Sequence, residues 1–234
     1  CSGCRPARVA PPLSGSSCRC PPLPRGTAHG SRPLTLAAPA EGSGPDRGVD
    51  GAAASGGGRV GLPVRHTPRT DPEAVGAVAQ VIRRLLDRGG AAVSERSPDP
   101  TPLTADRVAV GTAHRDQAAA VRAALADLGV SDVTVDTANR LQGREYDVTV
   151  VLHPLSGRPD ATAFHLETGR LCVLASRHRH ACIVVCREGV TDLLDDYPST
   201  EPVQLGTLVK FPDGWEANHA VLSHLAEHRV RWRS

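Results

Sequence analysis

The clearest periodic pattern in the chain is a run of apolar residues at three- and four-residue spacing between residues 71 and 89. Such spacing places the apolar side chains on one face of a helix. Asp71, Pro72 and Glu73 provide an N-terminal cap, a proline at the first helical position and an acid in the first turn, and Gly89 provides a stop. The sequence therefore predicts an amphipathic helix between these signals. Its apolar face consists of Val75, Val78, Ile82, Leu85 and Leu86.

Beyond residue 105 the chain alternates between short apolar runs rich in valine and isoleucine and amphipathic segments. Continuous apolar runs are typical of parallel strands that are buried on both faces of a sheet. Their alternation with helices favours an α/β fold, with a parallel sheet and flanking helices. The predicted strands are residues 107–111, 132–136, 147–152 and 181–186, and the predicted helices are residues 116–128, 166–176, 190–196 and 215–229.

The first part of the chain has a different character. Residues 1–60 are rich in glycine, proline, serine, alanine and arginine and show almost no apolar periodicity. Such a segment cannot bury enough surface to offset the entropy lost on ordering. We therefore expect residues 1–60 to be a disordered tail and residues 61–234 to form one domain, with a motif-bearing core at residues 105–196.

The composition of the chain restricts where the protein is located but does not identify its function. The net charge is +2, and Lys210 is the only lysine among 27 basic residues. The chain contains no methionine and begins with Cys1, so we expect a fragment of a longer protein, a processed product or a wrongly assigned reading frame. No apolar run approaches the roughly 20 residues of a membrane span, and the N-terminus lacks the apolar centre of a signal peptide. We therefore expect a cytoplasmic protein with no membrane partner.

Cysteine and histidine clusters raise the question of a metal site. Near the N-terminus a C-x2-C pair is followed by a C-x-C pair, and the second pair is too tightly spaced for a structural zinc ion. The later cluster includes cysteines on a predicted buried strand, where free cysteine is common. We therefore expect no metal site. The residues concerned are Cys1, Cys4, Cys18 and Cys20 in the first cluster and His178, His180, Cys182 and Cys186 in the second.

Four chemically different groups stand in succession before the strand at residues 147–152. Glycine lets backbone N–H groups approach a phosphate, arginine clamps a phosphate or holds a neighbouring carboxylate, and a carboxylate accepts a ribose hydroxyl. A tight turn with a surface Arg–Glu pair explains the same residues, so spacing alone leaves both interpretations open. The four residues are Gln142, Gly143, Arg144 and Glu145.

Ligands of parallel α/β sheets bind outside the carboxyl ends of the strands. The loops at residues 111–115 and 137–146 qualify by this rule, and the helix end at residues 176–179 could approach the same edge.

Three segments resemble motifs of superfamily 1 DNA/RNA helicases, in the branch that includes the nonsense-mediated-decay helicase. VDTANRLQGREYDVTVVL, residues 135–152, is similar to motif V, VAVGTAHRDQAAAVRAAL, residues 108–125, to motif IV, and GRLCVLASRHRHACIVV, residues 169–185, to motif VI. The motifs occur in the family's order. Ala113 and His114 replace the proline and tyrosine of motif IV, and Cys172, Ser176 and His178 replace the asparagine, threonine and alanine of motif VI.

The resemblance implies a C-terminal RecA-like helicase domain, the second domain of a P-loop NTPase. In this family ATP lies between two such domains, so ATP and Mg²⁺ would bind only together with an N-terminal ATPase domain. Carried over by position, Arg177 would be the arginine finger that stabilises charge during phosphoryl transfer. Nucleotide contacts would come from Gln142, Gly143, Arg144, Glu145 and Arg179. Single-stranded DNA or RNA would be faced by Thr112, His114 and Thr137.

A complete ATPase also needs a phosphate-binding loop, G-x-x-x-x-G-K-[ST], whose lysine reaches the β- and γ-phosphates. The sole lysine, Lys210, lies between Val209 and Phe211, so the chain offers no such loop. We therefore expect the second half of a two-domain motor that does not hydrolyse ATP alone. Two alternatives stay open: a non-catalytic module that binds nucleic acid or protein, and an unrelated α/β enzyme. The low aromatic content argues against strong base stacking.

Overall fold

The computed structural model describes residues 34–37, 44–94, 97–197 and 213–232. Its centre is a six-stranded sheet in which every neighbouring pair of strands is parallel. In spatial order the strands are β6 (Thr134–Thr137), β5 (Val108–Thr112), β7 (Tyr146–Leu152), β8 (His178–Arg187), β2 (Gly57–Leu62) and β9 (Arg229–Arg231). The predicted α/β architecture is confirmed, and it is consistent with a RecA-like fold.

Helices cover both faces of this sheet, which explains why its central strands are apolar along their whole length. One face carries α1 (Gly44–Ser55), α2 (Pro72–Asp87) and α3 (Arg115–Asp127). The other face carries α6 (Thr168–Ala175), α7 (Val190–Asp196) and α8 (Gly214–His224). Alternate residues of β7 serve the two layers, since Val150 packs with the first set and Val151 with the second.

The strongest sequence signals correspond to α2. Asp71 caps the helix by accepting hydrogen bonds from the backbone N–H groups of Glu73 and Ala74, and Pro72 is the first helical residue. Val78, Ile82 and Leu85 are fully buried against the sheet. The predicted strands and the helices at residues 116–128 and 190–196 are confirmed, with ends that shift by up to three residues.

The predicted disordered tail is wrong for its last part. Helix α1 and the start of β2 lie within residues 1–60, and β2 is an interior strand between β8 and β9. The sequence GGRVGL hides this strand because glycine carries no apolar side chain. Glycine is needed for close packing: a Cβ on Gly58 would lie 3.2 Å from the Ala52 side chain, and one on Gly57 would lie 2.9 Å from Leu225. Apart from residues 34–37 and 44–60, the tail lies outside the described residues.

Two predicted helices differ from the structure. The helix predicted at residues 166–176 is divided into α5 (Ala163–Leu166) and α6, with Glu167 between them in a non-helical conformation. The helix predicted at residues 215–229 ends at His224, and the chain then forms β9, which pairs with β2. β9 escaped prediction because Arg-Val-Arg is too short to show a period.

A second, smaller sheet is antiparallel and lies outside the main one. In spatial order its strands are β1 (Thr35–Leu36), β3 (Gly90–Ser94) and β4 (Ser97–Pro102). Two short elements belong to neither sheet: a 3₁₀ turn at Ala105–Arg107, which precedes β5, and helix α4 (Ala138–Leu141), which follows β6. The prolines of β4 suit an edge strand, where a missing N–H is tolerated. Among the described helices none is both long and apolar enough to span a membrane.

Candidate functional site

The residues singled out in the sequence occupy opposite edges of the main sheet. Thr112, His114 and Thr137 end or follow strands β5 and β6, so they lie at the carboxyl edge. Residues 142–145 precede β7, and Arg177 precedes β8, so they lie at the amino edge. The expectation that the helix end at residues 176–179 approaches the carboxyl edge is therefore wrong. The expectation for the loop at residues 137–146 holds at Thr137 and is wrong at residues 142–145. Helix α6 carries the chain back to the start of the next parallel strand.

The amino edge is built on a tight turn that begins where α4 ends. Gln142 has φ −59° and ψ 131°, Gly143 has φ +78°, and the N–H of Arg144 donates to the carbonyl of Leu141 at 3.1 Å. These values define a type II turn, which needs a residue with positive φ at its third position. A Cβ on Gly143 would meet nothing within 4 Å, so the backbone angle alone demands glycine. The predicted tight turn is therefore present.

Charged pairs surround this turn. Arg179 contacts the carboxylate of Glu145 at 3.2 Å and that of Asp147 at 3.8 Å, and Arg107 also pairs with Asp147. Asp147 is buried, whereas the side chains of Arg179 and Glu145 are 54% and 63% exposed. An exposed pair of this kind contributes under about 1 kcal/mol, so a ligand can open it at little cost. Arg179, and not Arg144, is the partner of Glu145.

Arg177 lies beside this turn and is half-buried. Its carbonyl accepts a hydrogen bond from the N–H of Tyr146 at 2.9 Å, and its Nη2 donates to the Ser176 hydroxyl at 2.7 Å. Its Nε is buried and has no hydrogen-bond partner among the described atoms, and no described carboxylate pairs with this guanidinium. A half-buried guanidinium that no carboxylate neutralises is suited to bind an anion.

The neighbouring His178 stays neutral. Burial lowers its pKa to about 4, although a hydrogen bond with the backbone of Ala175 opposes the shift. The positive charge at this position of the amino edge is therefore carried by the arginines at physiological pH.

The carboxyl edge holds the three residues predicted to face nucleic acid, in different states of exposure. Thr112 is fully buried, and its hydroxyl donates to the carbonyl of His114 at 3.0 Å. In this conformation Thr112 positions the loop and cannot itself touch an external ligand. Thr137 precedes α4 and is partly exposed, and its N–H donates to the carboxylate of Asp136 at 2.8 Å.

His114 belongs to an aromatic cluster that sequence reasoning missed. Its ring stacks on Phe164, with centroids 4.9 Å apart and planes 15° apart, and its Nε2 lies 3.3 Å from the Nε2 of His165. Burial lowers the pKa of His165 to about 4 and also lowers that of His114, and nearby arginines act in the same direction. Two neutral imidazoles can share one hydrogen bond. About fifty residues separate His114 from Phe164, so no local pattern joins them.

The described residues contain no group of three histidine, cysteine, aspartate or glutamate side chains placed to hold a metal ion. Cys182 and Cys186 are free and buried in β8, and burial raises the pKa of the Cys182 thiol to about 11. Cys1, Cys4, Cys18 and Cys20 lie outside the described residues, as does Lys210.

Comparison with known families decides the class of the domain. A family model described as an AAA domain matches residues 65–189, more than half of the chain. The chain belongs to the AAA domain family. This AAA domain is of the helicase type within the P-loop NTPase class, and the matched segment contains both edges described above. A search among curated proteins finds no match.

The family assignment confirms the coarser part of the sequence prediction. A helicase-type AAA domain is a nucleotide-binding module, which agrees with the resemblance of residues 108–125, 135–152 and 169–185 to helicase motifs. The narrower superfamily 1 branch, the roles of individual residues and the missing first domain stay predictions.

Proposed function

We propose that this AAA domain is the C-terminal motor half of an ATP-dependent superfamily 1 DNA/RNA helicase. Its amino edge contributes to a nucleotide site, and its carboxyl edge contacts single-stranded DNA or RNA. The observation that carries the proposal is Arg177, a half-buried guanidinium that no described carboxylate neutralises, beside the Gly143 turn. A missing N-terminal RecA-like domain is the partner that would complete the site.

Each group at the amino edge has a role that its geometry supports. Arg177 would neutralise charge that develops on the transferred γ-phosphoryl group, and Arg179 would bind a second phosphate oxygen or link the motifs. The turn around Gly143 lies on the exposed surface, where Gln142 and Arg144 flank Gly143 and a phosphate could approach it. Glu145 would exchange Arg179 for a ribose hydroxyl.

The same edge does not suit Mg²⁺ by itself. Asp147 is buried and paired with both Arg107 and Arg179, which leaves the exposed Glu145 as a lone carboxylate, whereas Mg²⁺ is usually held by one or two carboxylates together with substrate phosphates. ATP and Mg²⁺ would therefore bind together with a phosphate-binding loop and a metal-binding carboxylate on the first domain. The single lysine, Lys210, lies outside any such loop in this sequence.

The first expected outcome is that the chain alone releases no phosphate from ATP. Purified chain is incubated with ATP and Mg²⁺, with and without single-stranded DNA or RNA, and phosphate is measured against a blank. The variant R177A is the matched control, because it should be indistinguishable from the wild type. Turnover by the chain that R177A abolishes would show a complete ATPase site, and the proposal of a motor half would be wrong.

The positive test supplies the missing half. Coding DNA upstream of residue 1 is examined for a domain that contains G-x-x-x-x-G-K-[ST], and the joined protein is assayed. The joined protein should hydrolyse ATP, and R177A should lower its turnover by about 10³-fold or more. The exposed Arg83, which pairs with Asp87 on α2, gives the control variant R83A, which should leave turnover unchanged. An R177A enzyme with full turnover would remove Arg177 from the mechanism.

A second candidate is a non-catalytic module that retains the fold and binds nucleic acid or protein. The aromatic cluster at the carboxyl edge favours this second function, because the cluster is formed without a bound nucleotide. Oligonucleotide affinity that falls with salt but is the same in the joined protein with and without ATP would favour this function.

A further inference from the structure

A cavity of about 540 Å³ opens at the carboxyl edge of the main sheet, where β8, β2 and β9 end. Its walls come from the ends of β2 and β9, from Glu188 and Gly189 directly after β8, and from Thr191 and Asp192 at the start of α7. Cavities of this volume are typical of sites for small molecules. This cavity shares no lining residue with the amino edge or with the aromatic cluster around His114.

The topology of the sheet explains why a cavity forms here. Strands β2 and β8 are neighbours, and the chain leaves β2 toward α2 on one face but leaves β8 toward α7 on the other face. Because the two loops diverge toward opposite faces, they leave a crevice between the strand ends. Open α/β sheets bind ligands in such a crevice.

Three arginine side chains enter this crevice from the same face of the sheet. In the parallel pairing of β2 with β9, Arg59 is in register with Arg229, and Gly61 is in register with Arg231. Side chains of paired residues lie on one face, and residues two apart on a strand share that face. A Cβ on Gly61 would overlap the carboxylate of Glu188, so glycine leaves the space that this carboxylate occupies among the arginines.

Positive charge is in excess on this strand side of the cavity. Glu188 serves two arginines at once, Arg59 at 3.0 Å and Arg229 at 2.7 Å. Arg231 is exposed, and none of the described carboxylates pairs with it. Three arginines against one glutamate leave two positive charges without compensation.

The residual charge acts on a group beneath the cavity. Burial lowers the pKa of His153 to about 3, and the charge of Arg59 acts in the same direction although Glu188 pairs with that arginine. Glu188 therefore does not cancel the positive potential of the arginines.

The opposite wall of the cavity has a different chemistry. Thr191 and Asp192, in the first turn of α7, are both exposed, and within the described part of the chain no cation pairs with Asp192. The hydroxyl and the carboxylate of this wall can accept hydrogen bonds from polar groups of a ligand.

We propose that this cavity binds a small phosphate monoester, with the phosphate between Arg229 and Arg231 and the hydroxyl groups of the ligand facing Asp192. A phosphate monoester carries a charge of about −1.5 to −2 at pH 7, which matches the excess on the strand side. Arginine also matches phosphate oxygens in a bidentate geometry. Glu188 would keep Arg59 and release Arg229 to the ligand. The site goes beyond the proposed function, because it requires neither ATP nor nucleic acid.

The test titrates the full chain with ribose 5-phosphate in a calorimeter at low ionic strength, with inorganic phosphate, ribose and acetate as comparison ligands. The wild type should bind ribose 5-phosphate more tightly than inorganic phosphate, because only the sugar offers hydroxyl groups to Asp192. Ribose and acetate should not bind measurably, because neither brings a dianion to the arginines.

Three variants separate the two walls of the cavity. R231Q should weaken the binding of both phosphate ligands about 10-fold or more. D192A should weaken the binding of ribose 5-phosphate and leave that of inorganic phosphate undiminished. E188Q should bind both phosphate ligands more tightly than the wild type, because it removes the carboxylate that competes for Arg229.

The matched control is R83Q, which removes the same charge from α2, where Arg83 pairs with Asp87. R83Q should bind both phosphate ligands like the wild type, and thermal unfolding without ligand verifies that each variant is folded. Equal losses in R231Q and R83Q, or a folded wild type that binds neither phosphate ligand, would overturn the site. Acetate binding as tight as phosphate binding would overturn the ligand class, and equal affinity for ribose 5-phosphate and inorganic phosphate would overturn the role of Asp192.

Discussion

At the scale of single residues, Arg187 at the end of β8 is a buried and closely held charge. Its side chain is 1% exposed and holds Asp71 through two hydrogen bonds, at 2.6 and 3.0 Å, and Glu73 at 2.7 Å. Burial raises the pKa of Asp71, but the hydrogen bond and charge of Arg187 outweigh it, so this pKa lies below its usual value. Arg187 thus joins the main sheet to the cap of α2.

Replacing Arg187 with methionine should lower the free energy of unfolding by about 3–5 kcal/mol, because Asp71 and Glu73 lose the buried cation that compensates their partial burial. Urea denaturation monitored by circular dichroism measures the change. The control is R83M on α2, where the pair with Asp87 is about half exposed and should contribute under about 0.5 kcal/mol. Equal losses for R187M and R83M would contradict this account.

At the scale of elements, two glycines with open space around them should respond to alanine in opposite directions. Gly143, in the turn before β7, has φ +78°, whereas Gly76 lies inside α2, and a Cβ on either would meet nothing within 4 Å. G143A should lower the free energy of unfolding by about 1–2 kcal/mol, because an L-residue is strained at positive φ. G76A should raise it by about 0.5–1 kcal/mol, because alanine favours the helix. Chemical denaturation measures the free energy of unfolding of both variants. Changes of the same sign in G143A and G76A would contradict the prediction.

The elements also show what sequence reasoning can reach. Helix α2 was predicted because cap, periodicity and stop occur within one short segment. β2 was missed because Gly57, Gly58 and Gly61 are there for close approach of α1, α8 and Glu188, and that requirement exists only in the folded molecule. The tight turn at the amino edge was predicted because its residues are contiguous. The aromatic cluster at the carboxyl edge was not, because the fold alone brings Phe164 to His114.

The positions of the candidate site residues at the two sheet edges also could not be predicted from the sequence. Because all strands of the main sheet are parallel, residues that precede a strand lie at one edge of the sheet and residues that follow a strand lie at the other edge. The sequence reveals the order of the motifs, but it was the folded arrangement that separated Arg177 from His114 by the full length of the strands. Under the proposed function, the nucleotide would bind at the amino edge and the nucleic acid at the carboxyl edge. The strands of the main sheet would then be the structural link between the two sites.

At the scale of the whole molecule, neutral histidines make the fold sensitive to acid. Burial lowers the pKa of His153 to about 3, and that of His165 and His178 to about 4, and these residues lie on different elements. An unfolded histidine titrates near 6.5. Between these values the unfolded chain binds more protons than the folded one, so stability is full above about pH 6.5 and falls as the pH decreases toward 4.

His153 should contribute about 2–3 kcal/mol of this loss by pH 4.5, because it is buried with no carboxylate partner among the described residues. Its Nδ1 accepts the N–H of Leu155 at 3.2 Å, and an asparagine oxygen can replace that acceptor. H153N should therefore be less stable than the wild type at pH 7, because the smaller side chain packs less well, and should lose less stability on acidification. Urea denaturation between pH 7.5 and 4.5 measures how the free energy of unfolding changes with pH in H153N and in the wild type. The control is H224Q, at an exposed histidine, which should show the same pH dependence as the wild type. If H153N and the wild type lose stability in parallel, His153 is not the group whose protonation opens the fold.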